Sequence, residues 1–188
     1  MIGCGNKWKK SQTQLKCMFF FKGSTETKID DKNRFVLPQQ MRYGLIENGE
    51  LEFTIALGLG GCLTIYRRSD IDKIVSRFQK KQHDARYQKF FTLFFSTLHH
   101  TTCDKLGRVV VPPILKKAAK INSEIVVAGV LNKIEIWPKE KFAVELEDFL
   151  EGNDESLNQM MGEAFALLND EDDQAQLTTS QQAEYQEI

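Results

Sequence analysis

The 188-residue sequence is poor in cysteine, and none of its cysteines has a paired spacing. Cys4, Cys17, Cys62 and Cys103 form no Cys-x-x-Cys motif. A disulfide framework is therefore not predicted, and a reducing cytoplasm is the expected environment.

Long hydrophobic runs are also missing from the chain. The apolar runs at residues 18–21 and 90–95 are far shorter than the roughly 20 residues that span a bilayer. The first 17 residues carry four Lys but no apolar segment of the kind found in a secretory signal. Neither a membrane partner nor secretion is predicted.

Motifs that would support catalysis are missing as well. We find no nucleophile–base pair and no glycine-rich phosphate loop with Lys and Ser or Thr. His99, His100 and Cys103 are close in sequence, but adjacent residues of a strand point to opposite faces and a fourth ligand is not evident. We therefore expect no enzyme activity, no cofactor and no metal.

Positive charge is absent from the C-terminal segment. Residues 152–188 contain nine Asp or Glu and no Lys or Arg. Residues 1–151 consequently hold 25 basic and 17 acidic residues, a surplus of eight positive charges. A basic body with an acidic tail is typical of proteins with a nucleic-acid partner, although a solvated surface with a solubilising tail is the alternative.

The most informative feature that is present is a repeated phrase. Asp30 to Arg34 is followed by three apolar residues and Pro38, and the same order returns 74 residues later, from Asp104 to Arg108 and then Pro112. An internal repeat determines the architecture. Each half alone is marginal in size, so we expect two halves that share one core.

The repeat continues into strands and helices. Residues 55–58 and 63–66 match residues 126–129 and 134–137 at a shift of 71, so the first copy has about three extra residues, near 47–49. A helix with Ser69 as N-cap, a second from residue 84 to about 94 and a third over 139–150 are predicted from apolar spacing. The predicted fold class is mainly β with peripheral helices, α+β.

The two turn phrases are the candidate functional site. Asp30 and Asp104 occupy the first position of a turn, where Asp caps the backbone, and Asn33 and Gly107 occupy its left-handed position. The basic residues beside the turn tips are Lys32, Arg34, Lys105 and Arg108. Each Arg either pairs with its own Asp and locks the turn or presents its guanidinium to phosphate or guanine; the first role does not exclude the second.

At these residues the chain resembles the MraZ family of bacterial regulators, in the AbrB-like swapped-hairpin class. The resemblance covers residues 18–150. It includes Met18-Phe19 near Gly23, both turn phrases, Gly58-x-x-Gly61-Cys62-Leu63-x-x-Tyr66, Phe94-Phe95 and Ile134-Glu135-Ile136-Trp137. Asn33 departs from the usual Gly of the first turn, and the acidic tail lies outside the family pattern.

The resemblance implies a duplicated swapped-hairpin β-barrel with two halves related by a pseudo-two-fold axis. The expected organisation is a disordered extension at 1–17, a first repeat at 18–80, a linking helix at 81–95, a second repeat at 96–150 and an acidic, largely disordered tail at 151–188. Family members begin near Met18, so two alternatives are open: translation starts at Met18, or residues 1–17 are a lineage-specific extension.

The resemblance also implies a sequence-specific regulator that is cytoplasmic and associated with the nucleoid. Such proteins form ring-shaped homo-oligomers, bind short repeats in double-stranded promoter DNA and control the division and cell-wall gene cluster. Lys32, Arg34, Lys105 and Arg108 are carried over as DNA contacts, and Asp30 and Asp104 as turn-holding residues. The alternative from another class is a ring-forming scaffold whose DNA binding is incidental and nonspecific.

Overall fold

The computed structural model describes residues 19–151, 155 and 158–164 of the chain. A first compact unit ends at Trp137 and a second begins at Pro138. The predictions for residues 1–17, the Met18 start and most of the acidic tail lie outside the described residues.

Short strands alternate with short helices along the first unit. The strands are β1 Ser24–Lys28, β2 Arg34–Val36, β3 Ile46–Glu47, β4 Glu50–Leu51, β5 Phe53–Leu57, β6 Leu63–Arg67, β7 His99–Thr101, β8 Arg108–Val110, β9 Glu124–Val130 and β10 Lys133–Pro138. The helices are α1 Gln39–Leu45, α2 Arg68–Gln79, α3 Gln88–Ser96 and α4 Pro113–Ala118. Pro38 and Pro112 precede α1 and α4, as expected for residues that fix the backbone at a helix start.

The main sheet interleaves strands from the two repeats. Its order is β1-β9-β10-β6-β5-β7, and its pairings are antiparallel. If β1 corresponds to β7, β5 to β9 and β6 to β10, this order reads the same from either edge. The two halves therefore occupy the sheet as a pseudo-two-fold pair, and strands of each half complete the sheet of the other.

A separate two-stranded ribbon lies on the same pseudo-two-fold axis. β2 pairs with β8, and the central pair, Phe35 with Val109, joins positions that are 74 residues apart. Phe35 and Val109 are buried, at 1% and 0% exposure. Equivalent residues of the two repeats therefore pair with each other at the centre of the ribbon.

One hydrophobic core draws on both halves. It includes Phe53 and Ile55 of β5 beside Ile125 and Val127 of β9. Thr27 of β1 pairs with Ile125 of β9, and the equivalent residue of the second repeat, Thr101 of β7, pairs with Phe53 of β5. Phe53 and Ile125 are therefore equivalent positions, and β5 and β9 are related by a shift of 72 residues. The shift of 71 predicted for β5 and β9 is therefore wrong by one residue. The error matters because successive strand residues face opposite sides of a sheet, so an alignment that is wrong by one residue assigns every side chain to the wrong face.

The extra residues of the first copy form a small hairpin, β3–β4. Asn48 and Gly49 have φ values of 54° and 84°, the positive values that a two-residue hairpin turn requires. Glu47 of this hairpin accepts hydrogen bonds from the backbone N–H of Ser69, at 2.9 Å, and from its hydroxyl. The prediction of Ser69 as N-cap is therefore wrong, because α2 begins at Arg68. A backbone N–H group of the first turn is instead bound by Glu47, which lies outside the helix.

Helices α2 and α3 form a second apolar cluster on the sheet. Ala56, Ile71 and Phe94 are buried there, and the ring of Phe78 lies 5.5 to 6.2 Å from the rings of four phenylalanines of α3. The helix predicted from residue 84 is divided. A 3-10 turn covers Ala85–Tyr87, and α3 follows it.

The described residues of the second unit after Pro138 are helical. Its helix α5 covers Lys139–Glu151, in agreement with the helix predicted over 139–150, and residues 158–164 are also helical. Several apolar side chains of α5 are exposed: Val144, Leu146, Phe149 and Leu150.

Candidate nucleic-acid interface

The repeated turns lie at opposite ends of the β2–β8 ribbon. Each turn immediately precedes its strand, and the two strands are antiparallel. One backbone hydrogen bond ties the end of each strand to the opposite turn: Leu37 N–H donates to the Gly107 carbonyl at 2.9 Å, and Val111 N–H donates to the Asn33 carbonyl at 2.8 Å. The turns are therefore held in a fixed relation by the ribbon.

The first turn is organised by one carboxylate. Oδ1 of Asp30 accepts the backbone N–H groups of Lys32 and Arg34, at 2.9 and 2.8 Å. Oδ2 of Asp30 receives Nε and Nη2 of Arg34, at 2.9 and 2.7 Å. Asn33 has a φ of 56°, in the left-handed region, where Asn is tolerated better than most residues.

The second turn repeats this arrangement. Oδ1 of Asp104 accepts the backbone N–H groups of Leu106 and Arg108, both at 2.9 Å, and Oδ2 receives Nε of Arg108 at 2.6 Å. Gly107 has a φ of 77°. In both turns, therefore, the Arg pairs with its own Asp, which is the locking role considered from the sequence.

The hydrogen bonds lower the pKa of both turn carboxyls. For Asp30 the largest cause is the Arg34 guanidinium, and for Asp104 it is the backbone N–H of Arg108. The pKa of Arg34 is raised, mainly by Asp30 and to a smaller extent by Asp104 of the other turn. The carboxylates are thus held in the charged form that caps the turns.

Both Arg side chains lie on the outer face of the ribbon. Successive strand residues alternate between faces, and Phe35 and Val109 point into the core. Arg34, Val36, Arg108 and Val110 therefore share the opposite face, with Arg34 across from Val110 and Arg108 across from Val36. We call these four residues the ribbon face. The two valines are about half exposed, at 49% and 47%.

The ribbon face retains hydrogen-bonding capacity. A guanidinium has five N–H donors, and the contacts with Asp use two of those of Arg34 and one of those of Arg108. The side chains of Arg34 and Arg108 are 25% and 33% exposed. Each can therefore meet an anion while it remains paired with its Asp.

Two further basic residues contact the turns, and the sequence reasoning did not identify them. Lys116 of α4 donates from Nζ to Oδ1 of Asn33 at 3.0 Å. The guanidinium of Arg42 of α1 packs against Gly107, where an added Cβ would lie 2.5 Å from Nη1. Arg42 and Lys116 are 74 residues apart, so the repeat that relates the turns was the available signal.

The two lysines named from the sequence do not occupy equivalent positions. At the shift of 74, Lys32 corresponds to Leu106, and Lys105 corresponds to Asp31. Leu106 is 65% exposed. The first tip therefore has one acidic and one basic side chain, whereas the second has one basic and one apolar side chain.

The histidines considered as metal ligands take part in the sheet. His99 and His100 belong to β7, and Nδ1 of His100 lies 2.7 Å from Oγ1 of Thr54. Within residues 19–151, 155 and 158–164, no three His, Cys, Asp or Glu side chains form a group that could hold a metal. In the same residues, no helix combines the length and apolar character needed to cross a membrane.

The interleaved repeats and the paired turns define a duplicated α+β protein. The family described as "MraZ protein, putative antitoxin-like" matches the chain twice, over residues 20–91 and 94–165. The chain is also 36% identical over 136 residues to the Transcriptional regulator MraZ of Clostridium acetobutylicum, which is 71% of this chain and 92% of that protein. The chain belongs to the MraZ family.

Proposed function

We propose that this chain is a sequence-specific DNA-binding regulator of transcription and that the ribbon face contacts its DNA. The relative from Clostridium acetobutylicum is named a transcriptional regulator, which supports this function class. The observation that carries the proposal is the position of Arg34 and Arg108 on one exposed face, each oriented by its own Asp.

A two-stranded ribbon is one of the elements that the major groove of DNA admits. In this groove, Arg binds guanine with two hydrogen bonds or binds the flanking phosphates. Val36 and Val110 lie across the ribbon from the two Arg and expose apolar surface of the kind that contacts the thymine methyl group. The face thus combines donors for guanine with apolar contacts for thymine.

The basic residues beside the turns extend this face toward the phosphates. Lys32 and Lys105 belong to the turn tips, and these residues, together with Arg34 and Arg108, are the proposed DNA contacts. Asp30, Asn33, Asp104 and Gly107 hold the turns that present them. Phosphate contacts position the protein, whereas the groove contacts of Arg and Val supply the sequence preference.

A binding titration at two salt concentrations tests the function. We expect the protein to bind a duplex from upstream of its own gene more tightly than a shuffled duplex of the same composition. The preference should persist as salt rises, while both affinities fall, because phosphate contacts release counterions. Equal affinities for the two duplexes, lost together at moderate salt, would contradict sequence-specific binding.

We further propose that the interleaved halves are the duplicated swapped-hairpin barrel of the AbrB-like class. The palindromic strand order and the ribbon on the pseudo-two-fold axis support this assignment. By the same family relationship, we propose that the protein is cytoplasmic and nucleoid-associated, binds promoter repeats and regulates the division and cell-wall gene cluster. Sequencing the DNA that co-purifies with the protein would identify these targets.

A ring-shaped homo-oligomer is also proposed, and an exposed apolar surface supports association. Tyr87, Phe90, Leu93 and Phe95, on α3 and the turn before it, are 37% to 54% exposed. A cluster of this kind on a folded protein usually marks an interface. The same surface favours the second candidate, a ring-forming scaffold. Light scattering should give a multimer at micromolar concentration, and a monomer mass would contradict both ring models.

A further inference from the structure

The two ends of the ribbon differ in charge. At the first end, Lys32, Arg34 and Lys116 accompany two carboxylates, Asp30 and Asp31. At the second end, Arg42, Lys105 and Arg108 accompany one carboxylate, Asp104. The second end therefore has one more net positive charge, although the turns share one hydrogen-bonding pattern.

The basic side chain contributed by the helix is bound at only one of these ends. Lys116 donates to the amide oxygen of Asn33 at 3.0 Å. Its equivalent, Arg42, lies against Gly107, which offers no side-chain acceptor. Among the described residues, no protein group accepts a hydrogen bond from the buried Nε of Arg42. A partly buried cation without an anionic partner is costly to keep. Arg42 is half-buried, so a phosphate that meets the exposed part of its side chain would supply that partner.

Glycine at position 107 makes this placement possible. A Cβ there would lie 2.5 Å from Nη1, 2.6 Å from Cζ and 2.9 Å from Nε of Arg42. Any other side chain would displace the guanidinium from the turn tip. Gly107 itself is buried beneath the Arg42 guanidinium, so it places this cation beside the turn and does not contact the ligand itself.

We propose that the two ends of the ribbon bind the DNA backbone unequally, with Arg42, Lys105 and Arg108 at the Gly107 end making the stronger phosphate contact. This inference rests on the proposed DNA-binding function. The Asn33 end contributes less because Asn33 holds Lys116. The ribbon is therefore symmetric in its backbone and asymmetric in its affinity for phosphate.

The pseudo-symmetry provides a matched pair of variants, Arg42→Gln and Lys116→Gln. Each removes one positive charge at the equivalent place of an equivalent helix. We expect Arg42→Gln to weaken binding to the upstream duplex by about tenfold and to reduce the slope of log K against log salt by about 1. Lys116→Gln should weaken binding by less than about threefold and change the slope by much less.

Arg42→Lys separates charge from packing. It keeps the positive charge but loses the planar guanidinium, so the salt slope should stay at the wild-type value. A slope as low as that of Arg42→Gln would show that Arg42 acts by packing on Gly107, which would overturn the phosphate contact. Thermal unfolding of the three variants identifies any loss of affinity that arises from misfolding.

The remaining outcomes are distinct. If the wild-type protein binds neither duplex in a salt-dependent way, the proposed function fails. If the wild type binds but Arg42→Gln and Lys116→Gln have equal effects, or Lys116→Gln has the larger one, only the inequality of the ends is overturned. A wild-type affinity and slope for Arg42→Gln would likewise overturn it.

Asn33→Gly tests the role assigned to Asn33. Removing Oδ1 releases Lys116, so Lys116→Gln in the Asn33→Gly background should cost several-fold more in affinity than it does in the native background. Equal costs in the two backgrounds would show that Asn33 does not restrain Lys116 from binding phosphate.

Discussion

The two Asp–Arg turns have the same backbone and different tips. In each turn, one Asp oxygen accepts two backbone N–H groups and the other accepts the Arg, with corresponding distances that differ by at most a few tenths of an ångström. The differences are confined to Asp31 and Lys105, Lys32 and Leu106, and Asn33 and Gly107. Folding therefore constrains the Asp, the Arg and the left-handed residue of each copy. The two side chains at each turn tip, Asp31 and Lys32 in the first copy and Lys105 and Leu106 in the second, are free to diverge.

The largest expected difference concerns stability: equivalent substitutions at the centre of the ribbon should change the free energy of unfolding by different amounts in the two repeats. Phe35→Ala should lower the free energy of unfolding by about 3–5 kcal/mol, because it leaves a large cavity at a fully buried site. Val109→Ala removes only two methyl groups from the facing position and should cost clearly less. Urea unfolding of both variants measures this. Equal costs would mean that the core collapses around the missing ring.

The comparison of the two Arg concerns DNA affinity. Arg34→Ala and Arg108→Ala should each weaken binding to the upstream duplex by about 1–3 kcal/mol, and the double variant should be weaker than either single variant. If the two ends are unequal, Arg108→Ala has the larger effect. Fluorescence anisotropy gives the affinities.

Arg86→Ala is the matched control for these variants, because Arg86 also pairs with a nearby Asp, Asp84, but lies outside the ribbon. It should bind the duplex like the wild type. Normal binding by both Arg34→Ala and Arg108→Ala would show that the ribbon face is not the DNA contact.

Two substitutions at Asn33 test whether the first turn requires a left-handed backbone at this position, as glycine provides in the second turn. Asn33→Val should destabilise the protein by about 1–2 kcal/mol, because a β-branched residue resists a φ of 56°. Asn33→Gly should be close to neutral in stability, since glycine adopts this conformation freely. Thermal midpoints of the two variants test the prediction, and equal midpoints would contradict it.

Acid should remove the stabilising contribution of the Asp carboxylate in both turns. The pKa values of Asp30 and Asp104 are lowered in the folded protein. Their contribution to stability is therefore complete above the unfolded pKa of about 3.9 and is lost as pH falls through the lower folded values.

The Asp30→Asn, Asp104→Asn double variant isolates this contribution. Below about pH 4, its free energy of unfolding should fall less steeply with decreasing pH than that of the wild type. Chemical denaturation at a series of pH values compares the two slopes. Parallel curves would show that the two carboxyls do not contribute to acid sensitivity.

The turns and the interleaving of the halves could be predicted because they follow from local chemistry and from the repeat. Asp at the first position, with Asn or Gly at the left-handed position, determines the turn without reference to distant residues. The β3–β4 hairpin had a comparable signal in Asn48-Gly49, although the sequence reasoning noted only an insertion.

The contacts of Arg42 and Glu47 depend on which elements meet in space. Arg42 contacts a turn 65 positions away, and Glu47 caps a helix that begins after three intervening strands. Apolar spacing contains no information on such polar contacts. The one-residue difference between β5 and β9 was hidden for a similar reason, because both faces of these strands are apolar and either alignment matches.

The pairing of β1 with β9 has a consequence for the timing of synthesis. Ser24 pairs with Ala128, so the first strand leaves the ribosome about 100 residues before its partner exists. At roughly 5–20 residues per second, that interval lasts about 5–20 s. The sequence of β1, Ser-Thr-Glu-Thr-Lys, is polar throughout, and such a strand stays hydrated while its edge is unpaired. The strand that is synthesised longest before its partner is therefore polar, which limits aggregation of the nascent chain.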